Sequence, residues 1–207
     1  ITLHLDFLRR TQVGPAIFKV KDTKLGRQTS VIHVTLSQPI SSKANPPYIP
    51  SELREEVVGY ITNSNLDTEI GITILTDFAL SPAPMPVNIS KLALDQDEHW
   101  ARQGAIPFEK FRRASRKVHF YFPRKGQISR SISDEWVCFR NGERFTNETL
   151  GFVADVFPMP VEQHRNMSPY DVQSVKELTV QRTAKYWYPT LLLNLDVKKA
   201  LPEEGVE

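Results

Sequence analysis

Apolar and polar residues alternate with a period of two along three stretches of residues 2–38, and this pattern restricts the region to β-structure. Successive side chains of a strand point to opposite faces, so alternation gives the strand one apolar face and one polar face. The pattern predicts strands at Thr2–Leu8, Ala16–Leu25 and Gln28–Gln38, separated by turns at Gly14-Pro15 and Gly26. This order of strands and turns indicates an antiparallel meander.

Four further strands are predicted later in the chain, at Val57–Thr62, Lys117–Phe122, Trp136–Arg140 and Thr190–Val197. The glutamate-rich segment Ser51–Glu56 leaves a helix start open before the first of these strands. Three prolines within 81–86 forbid regular structure at that point. They mark the end of a first unit and the start of a connector.

The apolar period changes to that of a helix after residue 146. A stripe with the spacing i, i+3, i+4 and i+7 is formed by Leu150, Val153, Ala154 and Phe157. Thr146–Thr149 supplies capping residues and a first-turn glutamate, and Pro158 ends the pattern. These signals predict a helix over 146–157 that carries Asp155 within an otherwise apolar segment.

The single cysteine of the 207-residue chain excludes an intramolecular disulfide and a cysteine-based zinc site. It favours a reducing, intracellular location, and we expect the cytoplasm, with the peroxisome left open. Cys138 lies in the apolar stretch Trp136–Phe139 and is predicted to belong to the core. No apolar run approaches the roughly 18 residues of a membrane helix, so we expect no membrane partner.

The five histidines include no pair at the spacing of a metal site, and the sequence has no phosphate-binding glycine loop or Gly-x-Ser-x-Gly elbow. We therefore expect no metal and no cofactor. The net charge of +2 gives no sign of a nucleic-acid partner, and none is expected. Residues 107–130 are nevertheless basic, with Lys110, Arg112, Arg113, Arg116, Lys117, Arg124, Lys125 and Arg130 against Glu109 alone. A solvated basic face is the ordinary interpretation of this stretch, and an anion site is the alternative.

Two strands with an offset of 190 residues have similar sequences. Leu3–Phe7 (LHLDF) matches Leu193–Val197 (LNLDV), and each is followed by a dibasic pair and a turn that contains glycine. The shared order favours duplication of a β-rich unit over a chance match. The first copy has no helix before it and the second stops after one strand, so we expect a sequence cut at both ends.

The segment Leu150–Asp155 (LGFVAD), with the prolines after it, resembles a helix motif of the acyl-CoA thioesterase II family of double hotdog proteins. Asp6–Arg10 and Gly26–Ser30 resemble the first-repeat strands of the same family. Tyr188–Asp196 and the ending Pro202–Glu207 are similar to its fungal thioesterase-like branch.

The resemblance implies an α+β double hotdog fold, in which antiparallel sheets wrap around central helices, truncated here at both ends. It implies a first hotdog repeat without its helix at 1–80 and a connector with irregular structure at 81–135. A second repeat, with the helix 146–157 and an incomplete sheet, would occupy 136–207. Two such repeats would pack side by side and bind acyl-CoA where they meet.

The resemblance also implies a catalytic site. The family's usual site combines an Asp on the second helix, a Ser or Thr on the following strand and a Gln from a later strand, which activate a water that attacks the thioester carbonyl. Asp155 matches the catalytic Asp. The Ser/Thr position falls near Leu192, so the nearest polar substitutes are Thr190, as a catalytic residue, and Asn194, as a substrate-binding residue beside Leu192. The Gln would lie beyond Glu207.

Three interpretations follow. The first is general-base hydrolysis of acyl-CoA or another acyl thioester by Asp155, with Lys110–Lys125 near the phosphates of coenzyme A. The second is an inactive hotdog module that binds acyl-CoA or a protein partner. The third is an inactive fragment whose open sheet edges favour a homo-oligomer. From periodicity alone, a solvent-facing Asp155 at the edge of the stripe is the more ordinary interpretation, and the resemblance favours the functional one.

Overall fold

The structure is a computed structural model that describes residues 1–41, 46–72, 74–104, 106, 110–164 and 186–199. The strands in these residues are β1 (Thr2–Phe7), β2 (Ile17–Lys24), β3 (Thr29–Pro39), β4 (Leu53–Ser64), β5 (Trp100–Arg102), β6 (Val118–Pro123), β7 (Trp136–Phe139) and β8 (Leu192–Asp196). The helices are α1 (Ile89–Ala93) and α2 (Leu150–Asp155). The chain divides into a first unit, Ile1–Thr73 with Pro189–Pro202, and a second unit that contains Ile74–Tyr188.

The first unit contains an antiparallel sheet of five strands in the order β2-β3-β4-β1-β8. β2, β3 and β4 are neighbours in chain order, as a meander requires, but β1 pairs with β4 and β8. The meander prediction is therefore wrong for β1. The segment between β1 and β2 is too long for a tight hairpin. The buried Gln38 amide holds this segment by accepting from the Gln12 N–H at 2.8 Å and donating to the carbonyl oxygens of Gln12 and Pro15.

The helix left open at Ser51–Glu56 does not form. A single 3-10 turn covers Pro50–Glu52, and β4 begins directly after it at Leu53. The pairing of β3 with β4 shifts register at Glu56, which makes this residue a β-bulge. The carbonyl oxygen of Glu56 accepts from the N–H groups of Leu8 and Arg9, so the bulge fixes the chain where it leaves β1.

Strand register gives the sheet of the first unit one apolar face. Residues directly opposite each other in an antiparallel pair share a face. The apolar face is formed by Leu3, Leu5, Phe7, Phe18, Val20, Ile32, Val34, Leu36, Val57, Ile61, Leu193 and Leu195. All of these side chains are half-buried or exposed within the described residues. The opposite face carries a polar row, in register across the five strands, of Asn194, His4, Tyr60, His33 and Lys21.

Gly59 lies in the middle of this sheet, on the apolar face between Leu5 of β1 and Val34 of β3. A Cβ atom at this position would overlap the carbonyl oxygen of His4 and crowd the Leu5 side chain. Glycine is therefore required for the close approach of β1 to β4. The Leu5 side chain occupies part of the space that a side chain at position 59 would need.

The second unit contains an antiparallel sheet of three strands in the order β5-β6-β7. Both faces of β6 are covered, since Phe120 and Phe122 pack with Val156, whereas Tyr121 packs with Trp100. All the buried hydrophobic side chains of the described residues belong to this unit. Residues 81–135, for which a connector was predicted, thus contain α1, β5 and β6 and most of this core.

Cys138 is exposed, so its assignment to the core is wrong. Its neighbours Val137 and Phe139 pack against the core of Phe120 and Phe122. Side chains alternate along β7, so Cys138 faces the other way, with its Sγ 4.0 Å from the Tyr121 hydroxyl.

The predicted helix over 146–157 is shorter in the structure. A 3-10 turn at Asn147–Thr149 leads into α2, which ends at Asp155. The predicted stripe is wrong, because Ala154 and Phe157 are exposed while Phe152 and Val156 contact the core. Phe152 and Val156 are spaced i and i+4, which also defines a helix face.

Asp97 organises the loop between α1 and β5. Its buried carboxylate accepts hydrogen bonds from the backbone N–H groups of Asn88, His99 and Trp100, at 2.8, 2.8 and 2.9 Å. Burial alone would raise the pKa of Asp97, but these three donors outweigh it and lower the pKa below its usual value. The Arg124 guanidinium donates to the Asp97 carbonyl oxygen at 2.9 Å, so this member of the basic stretch has a structural partner.

Antiparallel sheets with few helices confirm the predicted α+β class. β8 is hydrogen-bonded to β1 and so belongs to the first unit. The division at 80/81 and 135/136 into hotdog repeats and a connector stays a prediction. In the part of the chain that the structure describes, no helix combines the length and apolar character needed to cross a membrane.

Gly59→Ala is expected to lower the free energy of unfolding by about 1–3 kcal/mol, because the added methyl group must displace the β1 backbone. Thermal or urea unfolding measures the change. Gly71→Ala is the control, since a Cβ there would meet no atom within 4 Å. Equal stabilities of the two variants would contradict the close approach of β1 to β4.

Asp97→Asn is expected to lower the free energy of unfolding by about 2 kcal/mol or more at neutral pH. The carboxylate accepts the three hydrogen bonds with two oxygens, whereas an amide has only one acceptor oxygen. The folded-state pKa of Asp97 lies below its unfolded value. The stabilisation is therefore fully present above about pH 4 and is lost as the pH falls through the folded-state pKa.

Urea unfolding of wild type and Asp97→Asn at pH 7 and pH 3 measures this dependence. The difference between the two proteins should be smaller at pH 3. The exposed neighbour Glu98 provides the control variant Glu98→Gln. A difference that does not change with pH would contradict the lowered pKa of Asp97.

Candidate active site

Asp155 is the last residue of α2, and its side chain is exposed. The helix begins after a turn in which Thr149 Oγ1 accepts from the Thr146 N–H and donates to the Thr146 carbonyl oxygen, both at 2.9 Å. Phe152 and Val156 anchor the other side of the helix in the core. The motif thus fixes the backbone of Asp155 while leaving its carboxylate accessible to water.

The half-buried Arg112 lies within electrostatic reach of Asp155. Burial lowers the pKa of the Arg112 guanidinium, and the carboxylates of Asp155 and Glu135 oppose this effect. The guanidinium of Arg112 nevertheless keeps its positive charge, because arginine is not deprotonated in proteins. Asp155 is therefore an exposed carboxylate in the field of a fixed cation, with a second carboxylate acting on the same guanidinium.

One aromatic ring lies beside Arg112, and a second ring packs against the first. Its guanidinium carbon lies 6.0 Å from the ring centre of Trp187, and Phe111 meets the same ring in a T-shaped contact at 4.7 Å. The residues on both sides of Trp187 are tied to Glu162 Oε1, which accepts from the Tyr186 N–H at 3.0 Å and from the Tyr188 hydroxyl at 3.1 Å. These bonds attach Tyr186–Tyr188 to the 3-10 turn Pro160–His164.

Thr190, Leu192 and Asn194 belong to the first unit, whereas Asp155 belongs to the second. Thr190 is half-buried and lies two residues before β8, so the strand predicted at Thr190–Val197 begins later in the structure. Leu192 is 46% exposed and lies opposite Asp6 on the polar face of the sheet. The structure thus arranges the candidate residues in two groups, one in each unit.

Asn194 pairs with His4, a residue that sequence reasoning did not single out. His4 lies opposite Asn194 in the β1–β8 pair, with its Nδ1 2.6 Å from Asn194 Oδ1 and its Nε2 3.3 Å from Asp6 Oδ2. The hydrogen bond to Asn194, followed by the charge of Asp6, raises the pKa of His4 above its usual value. On the other side of His4, the Tyr60 ring lies 4.8 Å from that of His33.

The signal for this contact was present in the repeat. The match of LHLDF with LNLDV aligns His4 with Asn194, and the structure pairs these two positions directly. Among the described residues, no group of three His, Cys, Asp or Glu side chains is arranged to hold a metal ion.

Comparison with known proteins gives matches at both ends of the chain. Residues 80–207 match the acyl-CoA thioesterase C-terminal domain, and residues 1–62 match the acyl-CoA thioesterase N-terminal domain. The thioesterase-like protein TwmA of Talaromyces wortmannii is 33% identical over 227 aligned residues, which cover 100% of this chain and 65% of that protein.

A crystal structure from Thermobifida fusca, of a protein assigned as a thioesterase II, is similar with a TM-score of 0.55 and 17% identity. The match covers 94% of this chain and 59% of that one. The chain therefore spans less than two thirds of the length of either relative. The likeness confirms the predicted hotdog fold.

Asn194→Ala is expected to lower the pKa of His4 towards that of an ordinary histidine, because the Asn194 oxygen stabilises the protonated ring. NMR titration of the imidazole signals measures the change, with the exposed Asn141→Ala as control. Because the folded-state pKa is raised, His4 stabilises the β1–β8 pair below about pH 6.5, and this is lost as the pH rises through the folded-state pKa. An unchanged pKa would contradict Asn194 Oδ1 as the acceptor.

Proposed function

The chain belongs to the acyl-CoA thioesterase family, and we propose on that basis that its protein hydrolyses acyl thioesters, with acyl-CoA as the substrate class. The observation that carries the proposal is the match to both thioesterase domains in order along the chain, over 1–62 and 80–207. The similarity to TwmA along the whole chain supports the same activity.

We assign the general base to Asp155. Its carboxylate is exposed at the end of the LGFVAD helix, so a water molecule has access to it. Asp155 takes a proton from this water as the water oxygen bonds to the thioester carbonyl carbon. The carbon–sulfur bond then breaks, and the proton passes to the leaving thiolate. The reaction gives a carboxylic acid and a thiol, and it needs neither a metal nor a covalent intermediate.

Thr190 and Asn194, which lie in the first unit, are proposed as polar residues of the reaction. Thr190 is proposed for the role that the family gives to a Ser or Thr. The oxygen of Asn194 is bonded to His4, so its NH2 group would donate to a substrate carbonyl. Leu192 lies between these two residues in the sequence, and its apolar side chain is proposed to contact the acyl part of the substrate.

A second function is favoured by one observation. The position that corresponds to the family's Ser or Thr falls near Leu192, whose side chain has no hydroxyl. A module that binds acyl-CoA or a protein partner without hydrolysis would not require that hydroxyl. We place either function in a reducing compartment, the cytoplasm or the peroxisome, because the sequence has a single cysteine.

Asp155→Asn in the full-length protein is expected to lower the rate of thioester hydrolysis by about 10²- to 10⁴-fold, the usual contribution of a general base. The measurement is thiol release from a panel of acyl-CoA esters. Glu148→Gln is the matched control, since Glu148 is an exposed carboxylate in the turn that leads into α2.

Thermal unfolding of both variants separates a catalytic effect from a loss of structure. Equal turnover by Asp155→Asn and wild type would reject Asp155 as the base. Acyl-CoA binding by the wild-type protein without turnover above background would favour the second function.

A further inference from the structure

Trp187 is held in place but is not buried. Half of its side chain is exposed, as is 45% of Phe111, which it contacts edge to face. The Tyr186 N–H and the Tyr188 side-chain hydroxyl both donate to Glu162, which ties the residues on either side of the ring to the same carboxylate. A large aromatic surface is thus presented to solvent in a defined orientation, which reduces the entropy lost when a ligand stacks on it.

The chain next to this ring is strongly basic. Five of the eight residues from 110 to 117 are Lys or Arg. The segment is compact, because the Arg113 N–H donates to the Phe111 carbonyl oxygen at 3.0 Å and the Arg116 N–H to the Arg113 carbonyl oxygen at 3.2 Å. The backbone of this basic segment therefore stays close to Phe111, which itself contacts Trp187.

Arg112 differs from the other cations of the segment. It is half-buried beside Trp187, and its charge interacts with the carboxylates of Asp155 and Glu135. The side chains of Lys110, Arg113 and Lys117 are exposed. Arg112 thus supports the aromatic group, while these three cations are available to an anion in solution.

We propose that the Trp187 group, which we define as Phe111, Trp187 and the cations Lys110, Arg113 and Lys117, binds the nucleotide end of coenzyme A. A purine has a π face that stacks on an exposed indole. Phosphates of the nucleotide accept charge-assisted hydrogen bonds from lysine and arginine. The proposal rests on acyl-CoA as substrate and deepens it by naming a subsite.

The exposed aromatic surface and the nearby cations together favour the nucleotide over the other parts of the substrate. An acyl chain would use the aromatic surface but would leave the cations without a counterion. The pantetheine arm carries no negative charge. Only the phosphorylated adenosine matches both an aromatic face and a cluster of cations. The same subsite lies in the second unit with Asp155, so one unit would hold both the nucleotide site and the base.

The test is isothermal titration of the full-length protein with adenosine 3′,5′-bisphosphate, which contains the nucleotide end without the acyl group. Trp187→Ala is expected to weaken binding by about tenfold or more, the size of a base–aromatic stack. Trp187→Phe should retain most of the affinity, since it keeps an aromatic ring. A double variant, Lys110→Gln with Arg113→Gln, should weaken binding and reduce its dependence on salt.

Arg130→Gln is the matched control, because Arg130 is an exposed cation of the same basic stretch outside the Trp187 group. Its affinity for the bisphosphate should equal that of the wild type. Equal affinities of wild type and Trp187→Ala would overturn the proposal. Binding of a single-stranded oligonucleotide through the same residues, at much higher affinity than the bisphosphate, would also overturn it in favour of a nucleic-acid surface.

Acyl-CoA turnover separates this inference from the proposed function. For Trp187→Ala we expect a raised KM, because the variant loses the contact that holds the nucleotide end of the substrate. Nucleotide binding through Trp187 in a protein without thioesterase activity would reject hydrolysis and keep the subsite. Turnover that depends on Asp155 but has the same KM in wild type and Trp187→Ala would keep hydrolysis and reject the subsite.

Discussion

β1 forms backbone hydrogen bonds along both of its edges, with β4 on one side and β8 on the other, and the arrangement of the first unit depends on this strand. Its register is set where Leu5 lies opposite Gly59 and where His4 lies opposite Asn194. A shift by one residue would move Leu3, Leu5 and Phe7 to the polar face. Because Gly59 has no side chain, the His4 carbonyl oxygen and the Leu5 side chain can approach it closely, and this contact favours the observed register.

The β1–β8 pair also gives a geometric meaning to the internal repeat. Residues that correspond in the two copies, His4 and Asn194, face each other, and the flanking leucines pair crosswise, Leu3 with Leu195 and Leu5 with Leu193. This is the arrangement that a local two-fold axis through the His4–Asn194 pair would produce. Two copies of one strand can pair in this way without new sequence, because an antiparallel pair is compatible with two-fold symmetry.

The elements of the fold with local signals were predictable from sequence. The predicted ends of β1, β2 and β3 differ from the observed ends by at most one residue. A period of two in the sequence indicates directly which residues belong to one face of a strand. The pairing of β1 was not predictable, since it depends on partners far along the chain. The burial of α2 was misassigned because two overlapping i, i+4 patterns exist in the same segment, and contact with β6 selects Phe152 and Val156.

The candidate site shows the same division between local and distant signals. Asp155 was identified because its motif is contiguous. The Arg112–Trp187 contact joins residues 75 positions apart in the chain and leaves no pattern that a single sequence reveals. The three hydrogen bonds to Asp97 were equally inaccessible, since their donors are backbone groups and carry no side-chain signal.

The separation of β1 from β8 has a consequence for synthesis of the chain on the ribosome. The two strands are joined by a contact between residues 190 positions apart, and nearly all of the second unit is translated between them. The residues of β2, β3 and β4 are also translated before β8 is available to pair with β1. Until β8 emerges, one edge of β1 remains open to pairing with another nascent chain. We therefore expect the exposure of this sheet to strand exchange between neighbouring nascent chains to be greatest before β8 is translated.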